Sequence, residues 1–243
     1  MTTPPADPDR FLDLVEDFYN GGFRSDRSRQ AAVPAPSPDS PAAARDSAAP
    51  ASPGASASSE AALKELSMRI RACRLCPLHK TRNKVVPGDG SPSPRLLLVG
   101  EGPGAMEDRS GQPFVGRAGQ YLDKWLAAIN LDRRKDCYIT NIVKCRPPNN
   151  RDPQPEESDA CFPYLEQQLA LLRPRVICTL GRVSTQILTR RREGIGALRG
   201  GSYACKGIPL VPTYHPSAVL RNTDLRKAVW EDLQRVRVLL END

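Results

Sequence analysis

Four short apolar runs, each followed by a helical pattern, constrain this chain more than any other feature. Residues 95–100 (RLLLVG), 137–144 (CYITNIVK), 175–181 (RVICTLG) and 208–214 (IPLVPTY) read as buried strands. Residues 117–129, 156–172, 183–191 and 224–240 carry helical periodicity instead. Strands that alternate with helices predict an α/β fold, here a central four-stranded parallel sheet flanked by helices. In such sheets ligands bind beyond the carboxyl ends of the strands. That rule directs attention to the residues after Val99, around Asn141, after Leu180 and after Pro212. The 180 or so residues that carry these patterns suffice for one sizeable core.

The preceding part of the chain is different in kind. Over residues 31–59, 24 of 29 residues are Ala, Pro or Ser, and none is Leu, Ile, Phe, Tyr or Trp. Nothing there offsets the entropy of ordering the backbone, so a disordered linker is expected. This divides the chain into an N-terminal extension, 1–59, and a folded domain, 60–243. The first 60 residues hold 5 Arg and 9 acidic residues, whereas residues 61–243 hold 30 basic and 19 acidic ones, a net charge of +11. A basic folded part points to a polyanionic partner. Within the extension, Phe11, Leu14, Val15 and Phe18 recur at helical spacing and predict a helix over 9–20, stopped by Gly21-Gly22. Such a stripe either folds back onto the main domain or docks in the groove of a protein partner. No apolar stretch approaches the ~20 residues of a spanning helix, and the first ten residues lack the pattern of a secretory signal. A cytoplasmic protein is expected.

Seven cysteines without an export signal argue against a disulfide scaffold. Cys73 and Cys76 form a C-x2-C pair at the end of a helix predicted to begin near Glu60. Cys145 and Cys161 flank a loop with four prolines. Four thiolates can hold a tetrahedral zinc ion or an iron–sulfur cluster, and the spacing leaves both open. Cys137 and Cys178 lie in apolar strands and read as small buried hydrophobes; Cys205 has no evident partner. His79, beside the cysteine pair, reads as a surface residue.

After the first strand, Gly100 to Ala105 can be set against the dinucleotide fingerprint G-x-G-x-x-G/A. That motif has to open a helix at once. Here Pro103, Gly104, Gly111, Pro113 and Gly116 predict irregular chain until about Arg117. The loop holds Glu101, Glu107, Asp108 and Phe114. Only one other phenylalanine follows Glu60, so Phe114 reads as a stacking platform or as a plug onto the core. Asn141 carries a donor and an acceptor suited to the edge of a base. His215, after the fourth strand, can donate a hydrogen bond to negative charge on a leaving group. The parts needed for acyl or phosphoryl transfer are missing.

Taken together, GEGPGAMEDRSGQPFVGRAG, TNIVKCRPPNNRDP and YHPSAVLR resemble the family 4 uracil-DNA glycosylases, the iron–sulfur type of bacteria and archaea. The likeness runs from about Leu66 to Leu233 and includes Cys73, Cys76, Cys145 and Cys161 in order. It implies excision of uracil from single- or double-stranded DNA by hydrolysis of the N-glycosidic bond, as the first step of base excision repair. It further implies a [4Fe-4S] cluster on the four cysteines, and a monomer associated with the nucleoid through DNA. By position, Phe114 would stack on the flipped uracil, Asn141 would read its O4 and N3 edge, and His215 would face O2. Glu101 would position or activate water. Glu107 would sit near C5 and help exclude thymine. Gly102 falls where family 1 enzymes have an aspartate. Ser217 and Arg221 would contact phosphate, with Leu220 as a wedge into the stack or as core packing. The cluster would fix the Pro-rich loop and present Lys144, Arg146 and Arg151 to the DNA backbone. The alternatives are a non-catalytic DNA-binding module and a product-trapping relative. The latter uses a histidine after the second strand, and residues 144–161 contain none.

Overall fold

The computed structural model describes residues 53–241, with side chains from Ser59 onward. The helix predicted at 9–20 and most of the expected linker lie outside the described residues. Helix α1 (Pro53–Ala72) begins at a proline, well suited to a first helical turn, and so takes up the last residues of the Ala/Pro/Ser stretch. Strands β1 (Asp89–Gly90) and β2 (Leu96–Gly100) are followed by helices α2 (Ala105–Ser110) and α3 (Arg117–Ala128). Then come β3 (Cys137–Asn141), α4 (Pro155–Leu172), β4 (Val176–Leu180), α5 (Arg182–Thr189) and α6 (Ile195–Leu198). The chain ends with β5 (Tyr203–Cys205), β6 (Ile208–Thr213), α7 (Pro216–Arg221) and α8 (Arg226–Glu241).

The strands form one sheet in the order β1-β3-β2-β4-β6-β5. The four expected strands are its parallel centre, β3-β2-β4-β6. The expected count of four falls short, because β1 and β5 extend the two edges antiparallel. Two and three residues long, they are too short to show a period of two, and Gly88 and Gly90 at positive φ hide the first one further. Every residue of β2, β3 and β4 is buried, as expected of parallel strands covered on both faces.

Alternation along each strand divides the core. Leu96, Leu98, Ile139 and Cys178 face α3 and α8, where Tyr121 and Trp125 pack edge to face at 5.3 Å. Leu97, Val99, Tyr138 and Ile177 face α1 and α4. Cys137 and Cys178 are buried as small hydrophobes, and burial pushes the Cys137 thiol up to about 12. A second expectation also needs correction. The chain from Ala105 to Ser110 is helical and stops at Gly111, whose φ of 80° ends it in the left-handed region. Glycine and proline flank this turn and a half of helix closely enough to mask it. Among the described residues no helix is long and apolar enough to cross a membrane.

Candidate active site

The order of the parallel strands reverses at β2, and a cleft of about 500 Å³ opens beyond the strand ends there. All four places marked in the sequence contribute to it: Glu101 after β2, Asn141 ending β3, Leu180 and Gly181 after β4, and His215 after β6. Gly102, Glu107, Phe114, Ser217 and Arg221 line it as well. Leu220 does not; it is partly buried against the core.

Phe114 is both a cleft wall and a core residue. Its ring centroid lies 5.5 Å from that of His215, tilted by 34°, while its φ of 51° places it in the left-handed region. For a bulky side chain that backbone costs about 1–2 kcal/mol, so neighbouring groups have to impose it. Glu107 Oε1 accepts hydrogen bonds from the backbone N–H groups of Val115 and Gly116, both at 2.9 Å. Arg133 donates to the carbonyls of Phe114 (2.9 Å) and Pro113 (2.5 Å), and pairs with Asp123 at 2.8 Å. Gly119 completes the clamp, since a Cβ there would stand 1.8 Å from the Phe114 carbonyl oxygen. Neither Arg133 nor Gly119 was legible as a site residue, because their contacts are to backbone across a turn.

Asn141 is 1% exposed, and its Oδ1 has no hydrogen-bond partner among the described residues. A buried amide left unsatisfied by the protein and lining a cleft is set to meet a ligand. At His215 the geometry fixes the tautomer. The Ser217 backbone N–H donates to His215 Nδ1 at 3.1 Å, with the Ser217 hydroxyl 2.8 Å away. Nδ1 is therefore the acceptor and the proton resides on Nε2. Burial, helped by the Arg221 guanidinium, pushes the imidazolium down to about 4, so the ring is neutral at neutral pH.

Glu101 is pushed the other way. Burial first, and then repulsion from Asp152, raise its carboxyl to about 7, against a smaller lowering by Arg182. Arg182 and Asp152 form an ion pair at the cleft rim. Gly102 leaves little space for a larger residue, because a Cβ would meet Val143 Cγ2 at 2.9 Å. Asp108, also marked in the sequence, is buried and accepts from Asn83 and Lys84, which secures α2 to the preceding segment.

The residues matched by the profile of the uracil DNA glycosylase superfamily are 87–234, which span this entire cleft. The chain belongs to that superfamily. It is 47% identical to the type-4 uracil-DNA glycosylase of Pyrobaculum aerophilum, over 70% of this chain and 91% of that protein. Identity to the type-4 enzyme of Thermotoga maritima is 41%, over 76% of this chain and 97% of that one. The type-5 uracil-DNA glycosylase of Thermus thermophilus is 34% identical, over 61% of this chain and 84% of its own. The higher identities and wider coverage place the chain in the type-4 branch of the superfamily.

The cysteine quartet of this superfamily member occupies a separate, smaller pocket. Cys73 and Cys76 approach from the end of α1, Cys145 from just after β3, and Cys161 from α4. The Pro-rich loop between the last two is held by a bidentate pair, Arg151 Nη1 and Nη2 to Glu157 at 2.8 and 2.7 Å. A capping box joins Gln154 to Glu157 at the start of α4. Arg82 Nη1 lies 3.0 Å from Cys145 Sγ, and its Nη2 donates to the Cys73 carbonyl at 2.8 Å. His79, expected at the surface, instead faces this pocket, with Nδ1 2.8 Å from the Cys76 carbonyl oxygen. Lys144, expected to meet the DNA backbone, is 1% exposed and turned inward. Among the described residues no three potential ligands converge closely enough to hold a single metal ion.

Proposed function

We propose that this protein is a uracil-DNA glycosylase of base excision repair, which extrudes uracil from DNA and hydrolyses its N-glycosidic bond. The observation that carries this reading is the unsatisfied, buried amide of Asn141 beside Phe114 and a neutral His215 with its proton on Nε2. A base inside a duplex is out of reach, so it has to be flipped at a cost of a few kcal/mol. Phe114 offers a fixed face on which the flipped ring stacks, and Asn141 pairs with O4 and N3. Glu107, clamped by two N–H groups, closes the side where the methyl group of thymine would need room.

In the reaction the C1′–N1 bond breaks and its electron pair leaves with uracil. Negative charge develops on O2, where the His215 Nε2–H donates to it. A neutral donor suits this task, because it binds the departing anion without surrendering a proton beforehand. The sugar cation takes an oxygen from water at C1′, and the water proton passes to the Glu101 carboxylate. With Gly102 where family 1 enzymes carry an aspartate, leaving-group stabilisation contributes more than water activation. Ser217, Arg221, Arg146 and the rim residue Arg182 meet the phosphates, and Leu220 supports α7 from the core.

The four cysteines fit a [4Fe-4S] cluster. They line one pocket, and Arg82 and Lys144 supply positive charge beside them. When bound, the cluster supplies structural cross-linking of α1, β3 and α4. The enzyme works as a monomer on chromosomal DNA in the cytoplasm.

The test is release of free uracil from single- and double-stranded oligonucleotides by purified protein whose iron content is measured alongside. We expect uracil and an abasic site from brown, iron-containing protein. Absence of release from every substrate would refute the activity, and full activity in a colourless zinc-loaded protein would refute the cluster.

A further inference from the structure

Lys144 stands between the two pockets, and neither the base pocket nor the ligand set accounts for it. Its side chain lines the cysteine pocket and is almost wholly buried. Among the described residues no carboxylate pairs with it; it lines the pocket together with Cys145 and Cys161. A buried ammonium without a counter-charge is costly, and one beside anionic sulfur is compensated. The Arg82 guanidinium, 3.0 Å from Cys145 Sγ, adds a second cation beside the sulfurs. Two cations thus line the pocket of the four sulfurs, and an anionic sulfur set would balance them.

The same ammonium reaches the other way. Lys144 Nζ donates to Thr140 Oγ1 at 2.8 Å and to the Asn141 carbonyl oxygen at 2.5 Å. The Thr140 hydroxyl donates on to the Pro87 carbonyl at 3.0 Å, which also accepts from Gln168 Nε2 at 2.8 Å. These bonds hold the carboxyl end of β3, which carries the Asn141 amide into the cleft.

We infer that Lys144 is a positioning residue that ties the negative charge of the cysteine-bound group to the placement of Asn141, so that the loaded cluster shapes base recognition and not only the Pro-rich loop. This rests on the glycosylase reading above. With the sulfur set metallated, the ammonium is neutralised on one side and free to fix the strand end on the other.

The experiment compares intact wild-type protein with Lys144→Met, Lys144→Arg and Thr140→Val. It reads iron loss to a chelator, kcat/KM for uracil release, and discrimination of uracil against cytosine. Partners of this kind behind a metal ligand typically change affinity or activity about 10- to 100-fold. We expect Lys144→Met to lose iron faster and to fall in kcat/KM within that range, with weaker discrimination. Lys144→Arg should recover part of each. Wild-type behaviour of Lys144→Met in all three readouts overturns the inference. So does faster iron loss with unchanged kcat/KM and discrimination at full iron content. If Lys144→Met does not fold, Thr140→Val decides: a severalfold change in the same direction supports the inference, and no change overturns it. Wild-type protein that lacks iron or releases no uracil would instead refute the reading on which this rests.

Discussion

The base pocket and the cysteine pocket both lie beside the carboxyl end of β3, yet they are held by opposite means. In the base pocket the groups offered to the base itself are neutral: the Asn141 amide, whose Oδ1 has no partner among the described residues, the His215 imidazole and the Phe114 ring. Hydrogen bonds behind them fix their positions and leave their outward faces free. The cysteine pocket is held by charge, with Arg82 and Lys144 set against four sulfurs. A neutral pocket presents groups that gain their partner only when the base arrives, which favours selectivity. A charged one is complete only when its ligand is present, which favours stability. Changes in the first should therefore remove activity and spare the fold, whereas changes in the second should weaken both.

The sharpest way to break this contrast is to empty the base pocket. Asn141→Ala and His215→Ala should each lower kcat for uracil release by about 10²- to 10³-fold, the usual loss for a preorganised donor to developing charge. Iron content should stay at the wild-type level, and the melting temperature should fall little, by the loss of the Ser217 cap in His215→Ala. A large drop in melting temperature would mean that the base pocket is structural too.

A smaller effect concerns protonation. Glu101 has its carboxyl raised to about 7, mainly by burial, so it carries a proton below that pH and accepts the water proton only above it. kcat/KM should rise with pH through about 7 and level off. His215, held near 4, adds no ionisation in the same window. Glu101→Gln should flatten the profile and lower its plateau, by about 10²-fold at most if leaving-group stabilisation dominates. For stability the sign is reversed. A carboxyl whose folded value lies above its unfolded one near 4.5 favours the fold at low pH, and that contribution is lost as pH rises through about 7.

Much of this site was legible in the sequence, for a definable reason. Glu101, Asn141 and His215 follow runs such as LLLV and CYIT that can only be buried strands, and in a parallel sheet strand ends converge. The short edges β1 and β5 were not legible, because two or three residues show no period. Helix α2 was hidden by the glycines at its ends. Lys144 was misplaced for a different reason. A lysine beside a Pro-rich loop reads as surface charge, and only the fold shows that it turns inward toward Thr140, Asn141 and the sulfurs. Thr140, Asn141 and Cys145 are its near neighbours in sequence, but Cys161, on α4, is brought beside it only by the fold.

The mildest test addresses the backing of the base pocket, where a cation, Arg133, stands opposite the Glu107 carboxylate. Arg133 holds the carbonyls of Pro113 and Phe114 and so keeps Phe114 in its left-handed backbone. Arg133→Ala removes two charge-assisted hydrogen bonds, each worth about 1.5–3 kcal/mol when fully formed. Glu107 and Gly119 continue to clamp the same turn from the other side, so part of that loss is absorbed. We expect kcat/KM to fall by about tenfold, carried mainly by KM, because a mobile Phe114 weakens stacking on the flipped base more than it disturbs His215. Arg133→Lys keeps the charge without the fork that reaches two carbonyls, and should recover little. Wild-type KM in Arg133→Ala would show that Glu107 and Gly119 alone impose the Phe114 conformation. The Phe114 turn would then be held by Glu107 and Gly119 of α2 and α3, without help from Arg133.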